Sequence, residues 1–275
     1  MRIGGSVMKP YSSEKEWLSY VKELNYNAVI FPLDSSATHQ DVMSYLNCAS
    51  DHDLMIGEVG VWRNCMSPDK GARENNIDYA IRQLELAETV KAKCCVNISG
   101  SVGSLWDGYH VYQGTKAFYD EVVETTQRII DAVNPEHTCY SLEPMPWMTP
   151  ESPEEYLQLI RDVDRKAFRV HLDYANMINS LDRYRNADDF IKRCFDLLGP
   201  YIKSVHAKDL QINDQILPIC IEEIQPGKGS VNMELVLKCV KELNEEIPVF
   251  VEHLATHEEY MSASAYMHSV IEKMS

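Results

Sequence analysis

Strand-like and helix-like stretches alternate eight times along this chain, and that alternation leaves few folds open to it. The strand-like runs are Arg2–Val7, Ala28–Phe31, Met55–Val61 and Cys94–Ile98, followed by runs that reach Glu143, Asp173, His206 and Glu252. Helical patterns lie between them, over about 14–24, 38–50, 72–90, 116–133, 152 onward, 187–198 and 233–243, with a last one opened at Thr256. Ser13 with Glu16 has capping-box spacing, and Ser152-Pro153-Glu154-Glu155 supplies a cap, a first-position proline and an acidic first turn. Helices of this length carry a chain back across a sheet, so the strands read as parallel βαβ units. Eight such units in 275 residues predict a single (β/α)8 barrel over residues 1–275, closed rather than an open doubly wound sheet. No Gly-x-Gly-x-x-Gly follows the first strand, which removes the dinucleotide-binding alternative. The 210–229 stretch reads as irregular, with a small hairpin ending in Pro226-Gly227-Lys228-Gly229.

Charge and cysteine usage narrow the function classes. Acidic residues number 42 against 26 Lys and Arg, a formal net charge of −16 that repels phosphate backbones and predicts no nucleic-acid partner. The longest apolar runs are strand-sized, well short of the ~18 residues of a membrane helix. Met1-Arg2-Ile3-Gly4-Gly5 enters the first strand without a signal-peptide core, so a cytoplasmic protein with no membrane partner is expected. The eight cysteines include no Cys-x-x-Cys, and several sit inside apolar runs, which predicts reduced, buried thiols.

Barrels of this kind carry their chemistry at the C-terminal ends of the strands. Here strands five to eight end in Glu143, Asp173, His206 and Glu252. Consecutive strands are neighbours, so three carboxylates and an imidazole converge on one side of the mouth. Carboxylates crowded in a partly dry cavity repel one another unless they are protonated or neutralised. A divalent cation is the simplest neutraliser, and a set of three oxygens and one nitrogen suits Mn²⁺ or Mg²⁺, with Co²⁺ or Zn²⁺ as further options. Residues i and i+2 of a strand share a face, so Lys208 projects with His206 while Asp209 turns the other way. His171 shares a face with Asp173 but lies deeper, as a core histidine or as a partner of the ligands, and His253 points away from Glu252.

The motifs Leu142-Glu143-Pro144, His171-Leu172-Asp173, Val205-His206-Ala207-Lys208-Asp209, Pro226-Gly227-Lys228-Gly229 and Val251-Glu252-His253 resemble those of the xylose-isomerase-like barrels. That superfamily includes sugar isomerases, ketose epimerases, hydroxypyruvate isomerase and inosose dehydratase. The resemblance spans nearly the whole chain and implies that Glu143, Asp173, His206 and Glu252 hold the metal. It also implies that Glu143 and Glu252 exchange the proton through a metal-stabilised ene-diolate, with Lys208 as a further catalytic candidate. The implied activity is isomerisation or epimerisation of a sugar, keto-sugar or sugar acid. The alternative is a lyase on a related keto-sugar or cyclitol, by dehydration or by cleavage of a C–C or C-glycoside bond.

Three positions depart from the ketose epimerase pattern: Thr149, Asn176 and Ile212 stand where those enzymes carry glutamate, histidine and arginine. A ketohexose substrate is therefore not implied. Glu58, Trp62, Asn64 and Asn97 are read as groups at the mouth, and Trp106, His110 and Trp147 as a lid that excludes water. Asn176 and Asn179 are read as hydroxyl contacts, and the Gly227/Gly229 turn as a simple turn rather than a phosphate cradle. The superfamily's DNA-cutting branch needs more histidines and a basic surface, and a non-catalytic sugar-sensing barrel does not need both glutamates. The partner expected is a small carbohydrate-like molecule, with self-association into a homo-oligomer open.

Overall fold

The computed structural model describes residues 1–274. Eight parallel strands form the barrel: β1 (Arg2–Gly5), β2 (Ala28–Ile30), β3 (Met55–Gly60), β4 (Cys94–Asn97), β5 (Tyr140–Leu142), β6 (Val170–Leu172), β7 (Ile202–Ala207) and β10 (Pro248–Val251). Between β7 and β10 an antiparallel hairpin is inserted, β8 (Asp209–Ile212) with β9 (Ile221–Ile224). The long helices are α1 (Glu14–Glu23), α2 (His39–Asp51), α3 (Lys70–Val90), α4 (Lys116–Val133), α5 (Pro153–Val163), α8 (Ala187–Leu198), α9 (Met233–Leu243) and α10 (His257–Lys273). Two short helices, α6 (Tyr174–Met177) and α7 (Leu181–Arg185), follow β6.

Local chemistry starts the helices where the sequence marks them. Ser13, Thr38, Asp69, Thr115, Ser152, Asn232 and Thr256 each accept an N–H from the residue three positions on. Thr256 and Glu259 complete a full capping box. At Ser13 only half of the box forms, because Glu16 reaches the N–H of Ser12 instead.

The strands form the (β/α)8 barrel expected. Its ladders run as two four-stranded parallel sheets, β1-β10-β7-β6 and β2-β3-β4-β5. The seams fall beside β2, β5 and β6, each only three residues long. Hydrogen bonds still cross both seams. At one, Asn27 donates its N–H to Ile3 O (3.0 Å) and its side chain accepts from Ile3 N (2.6 Å). At the other, Tyr140 N donates to Ala167 O (2.8 Å) and Arg169 N to Tyr140 O (3.1 Å). Inside, the Phe250 ring crosses between β1 and β3. A Cβ on Gly4 or on Gly57 would lie 2.5 Å from that ring, so both positions exclude larger residues.

Of the cysteines, Cys65, Cys94, Cys95, Cys139 and Cys194 are buried, whereas Cys48, Cys220 and Cys239 are only partly so; all eight are free. No helix of the described residues is long and apolar enough to cross a membrane.

Asp209 ties the inserted hairpin to the barrel. Its carboxylate accepts from Leu210 N (2.9 Å), Val231 N (2.8 Å), Gly227 N (3.0 Å) and Gly229 N (2.8 Å). The Pro226–Gly229 turn thus holds an internal carboxylate, and those N–H groups have no capacity left for a phosphate. Asp209→Ala strands these donors, those of Leu210 and Val231 in buried positions, and its expected cost is about 3 kcal/mol of unfolding free energy, read by urea denaturation.

Candidate metal centre

Strand geometry delivers four ligand-type groups to one point. Glu143 follows β5, Asp173 follows β6, His206 lies in β7 and Glu252 follows β10. One ligand atom from each lies within 4.8 Å of all the others. His206 Nδ1 is 2.9 Å from Glu252 Oε2, 3.3 Å from Glu143 Oε1 and 3.5 Å from Asp173 Oδ2. Asp173 divides its oxygens: Oδ1 caps α6 by accepting from Asn176 N (2.9 Å), which leaves Oδ2 for the cluster. The capping and ligand readings of this residue are therefore compatible.

Lys208 enters the same cluster, 2.8 Å from both Asp173 Oδ2 and Glu252 Oε2 and 3.5 Å from Glu143 Oε1. These are ion-pair distances without hydrogen-bond direction. Asp173 Oδ2 and Glu252 Oε2 are buried and have no hydrogen-bond partner. Unused carboxylate lone pairs beside an imidazole Nδ1 fit a hard dication with oxygen and nitrogen ligands. The donor set contains no thiolate, unlike a structural zinc site.

The electrostatics separate the acids. Burial, then the Glu252 charge, pushes the Glu143 carboxyl above its ordinary value. Burial also opposes ionisation of Asp173 and Glu252, yet Lys208 and His206 hold both below the ordinary range. His206 is raised well above its ordinary value, since Glu252, Glu143 and Glu58 together overcome the cost of burying its charge. In the metal-free protein the imidazolium and the Lys208 ammonium thus balance the carboxylates.

Behind His206 lies a group that strand-end reasoning misplaced. Glu58 is not at the mouth; it is inside the barrel on β3 and 1% exposed. Its Oε2 is 3.5 Å from His206 Nε2 and its Oε1 is 3.1 Å from His171 Nδ1. Despite burial, the charges of His171 and His206 and their hydrogen bonds bring this carboxyl down to about 2. His171 also meets Ser204 Oγ at 2.5 Å. It therefore lies behind His206, against Glu58 and Ser204. Glu58 contacts the ring edge of His206 opposite the acids, which orients Nδ1 toward them. The only sequence signal for it was a charged residue inside a strand-like run.

A cavity of about 300 Å³ opens beside the acids, lined by Trp62, Ile98, Trp106, Met145, Glu143, Glu252, Asp107 and His253. Trp62 and His253 hold left-handed backbone, φ 48° and 54°, directly after barrel strands, an arrangement that non-glycine residues adopt at some cost. His253 does not turn away as expected: its Nδ1 is 2.9 Å from Glu223 and its Nε2 3.5 Å from Glu252.

Other expected contacts are engaged elsewhere. Asn97 donates to Arg63 O and Cys65 Sγ and accepts from Arg63 N, fixing the loop after β3. Asn64 ties the same loop to Ser101. His110 accepts from Tyr112 N and lies outside the cavity lining, and the Trp147 indole donates to Asp107 O from outside it too. Asn176 donates to Glu143 Oε1 (3.1 Å) and Pro144 O (3.0 Å), and Asn179 donates to Pro146 O. Asn176 thus holds the Glu143 carboxylate through its amide N–H. Lys208 is fully buried and pairs with Asp173 and Glu252 behind the cavity lining.

The model of the Xylose isomerase-like TIM barrel family matches residues 18–269. The chain belongs to that family. Among curated protein sequences none matches it. Solved structures share the fold at low identity. A xylose isomerase-like TIM barrel protein from Mycobacterium smegmatis, in complex with magnesium, has a TM-score of 0.70 and 17% identity, over 95% of this chain and 90% of that one. D-Psicose 3-epimerase from Clostridium cellulolyticum H10, with D-tagatose, gives 0.73 and 14%, over 98% and 99%. The probable 3-DHS dehydratase AsbF of petrobactin synthesis from Bacillus anthracis gives 0.73 and 15%, over 98% and 98%.

Two outcomes follow from this geometry. A dication held at His206 Nδ1 would displace the proton there, so calorimetry of Mn²⁺ addition near pH 7 in buffers of different ionisation enthalpy would show about one proton released per ion. In metal-free protein the depressed Glu58 carboxyl contributes stability above its ordinary 4.5 that is lost as pH falls toward about 2. Denaturant titrations across that window show a decline, and Glu58→Gln flattens it.

Proposed function

We propose that this protein is a divalent-metal-dependent isomerase or epimerase of a sugar, keto-sugar or sugar acid. The observation that carries the proposal is the convergence of Glu143, Asp173, His206 and Glu252 beside a cavity with apolar walls. Glu143, Asp173, His206 and Glu252 would hold Mn²⁺ or Mg²⁺, which would polarise a carbonyl and its neighbouring hydroxyl, acidify the adjacent C–H and stabilise an ene-diolate. The remaining work falls to the side chains.

Glu143 and Glu252 both line the cavity and come from different strands, β5 and β10. Two carboxylates reaching one guest from two directions suit removal and return of a proton. Their environments differ in the metal-free protein: burial and the Glu252 charge push Glu143 upward, while His206 and Lys208 hold Glu252 down. Asn176 holds Glu143 by its Oε1, and Lys208 keeps Asp173 ionised. Trp62, Trp106, Ile98 and Met145 supply an apolar wall for the C–H face of a small carbohydrate-like guest and keep water from the reacting carbon.

A second reading is dehydration or another elimination on a keto-sugar or cyclitol, which shares the first proton abstraction. Two observations favour it. The dehydratase is as similar in fold as the epimerase, and the ketose epimerase positions are replaced here by Thr149, Asn176 and Ile212. Thr149 is buried and donates to Glu155 (2.9 Å), and Ile212 lies on β8, so neither offers an ionic contact to a sugar.

The experiment is a panel of keto-sugars, sugar acids and keto-cyclitols read by product mass. Isomerisation conserves mass, and dehydration removes one water. Chelation is expected to abolish turnover and Mn²⁺ to restore it. Glu143→Gln and Glu252→Gln each lower kcat by roughly 10²–10⁴-fold. Turnover that survives chelation, or either variant, contradicts the proposal.

A further inference from the structure

The opposite end of the barrel carries the reverse charge. A hollow of about 690 Å³ opens at the N-terminal ends of β4 to β7, lined by Lys93, Arg165, Lys166, Arg169 and Lys203 together with Thr138. Five of the 26 cations of a chain with net charge −16 thus share one concavity. The acids in its lining are Asp131 and Glu136. Asp131 is taken by Arg165, at 2.5 and 2.7 Å.

The other cations lack a counter-charge. Among the described residues, Lys93, Lys166 and Lys203 form no side-chain ion pair or hydrogen bond. Arg169 donates to the carbonyl of Phe168 (2.8 Å) and lies over the Tyr201 ring, with no carboxylate partner. Lys93 and Lys203 are half-buried, which brings unbalanced charges together in reduced solvent.

Helix carboxyl ends at this face favour nearby cations, which accounts for Arg165 and Lys166 just beyond α5. It does not account for Arg169 and Lys203, held at the starts of β6 and β7. We propose that this hollow binds a small oxyanion carrying two or more negative charges, of phosphate or polycarboxylate type. Lys93, Arg169 and Lys203 are its cationic contacts. The site is separate from the acid cluster, so it stands whether or not the catalytic reading does.

The test is calorimetric titration of the full chain at low ionic strength with inorganic phosphate and, separately, succinate. Saturable binding of one equivalent is expected from at least one probe, and the stronger probe names the ligand type. The double variant Lys93→Gln/Lys203→Gln weakens it by roughly tenfold or more, while Lys241→Gln on the exposed face of α9 leaves it unchanged. Arg169→Gln tests the site independently should the double variant fail to fold, with thermal melting as the check. No saturable binding of either anion overturns the proposal, as does equal affinity in folded variants that lack these cations.

Discussion

Three carboxylates meeting around one imidazole nitrogen set the terms for the rest of this structure. Glu143, Asp173 and Glu252 cannot all remain ionised in a dry barrel mouth without positive charge among them. His206 and Lys208 supply it in the metal-free protein, His206 raised well above its ordinary value by Glu252, Glu143 and Glu58, and Lys208 by Asp173, Glu252 and Glu143. A buried lysine that pairs with acids without hydrogen-bond direction neutralises them without using their lone pairs. The arrangement therefore suits a dication better than it suits a purely structural ion-pair network, in which buried partners are normally hydrogen-bonded.

Around that cluster the loops are pinned rather than left open. Asp209 holds the turn after the hairpin, Asn97 and Asn64 hold the loops after β3 and β4, and Asn176 holds Glu143 itself. Such amides and carboxylates bound to backbone fix the walls of the cavity before a guest arrives, which is what positioning a reactive carbon requires. The strained backbone at Trp62 and His253 sits on the same rim. The barrel is polarised along its axis, with anionic groups at one end and unpaired cations at the other.

Much of this was legible in the residues, for physical reasons. Alternation of strand and helix periods, capping residues at helix starts and acids at strand ends are local signals, and each survived into three dimensions. The hairpin after β7 was legible from its terminal Pro-Gly turn. What escaped was decided by partners distant in sequence. Glu58 looked like a strand-end group because nothing local reveals that His171 and His206 wait inside the barrel to bind it. Asn97 and Asn176 looked free for a substrate because an amide's backbone partners are set by loop packing. Asp209 is read from sequence only as turned away, although its carboxylate accepts from Leu210 beside it and from Gly227, Gly229 and Val231 about twenty residues on. The seams escaped because strand length fixes the number of ladder bonds, and three-residue strands leave few.

The most direct measurement is anomalous diffraction from crystals grown with Mn²⁺. One ion bound by Glu143, Asp173, His206 Nδ1 and Glu252, with Lys208 displaced from bridging Asp173 and Glu252, is the predicted result. An absent anomalous peak at that point, with the Lys208 ammonium still between the two acids at saturating Mn²⁺, would contradict it.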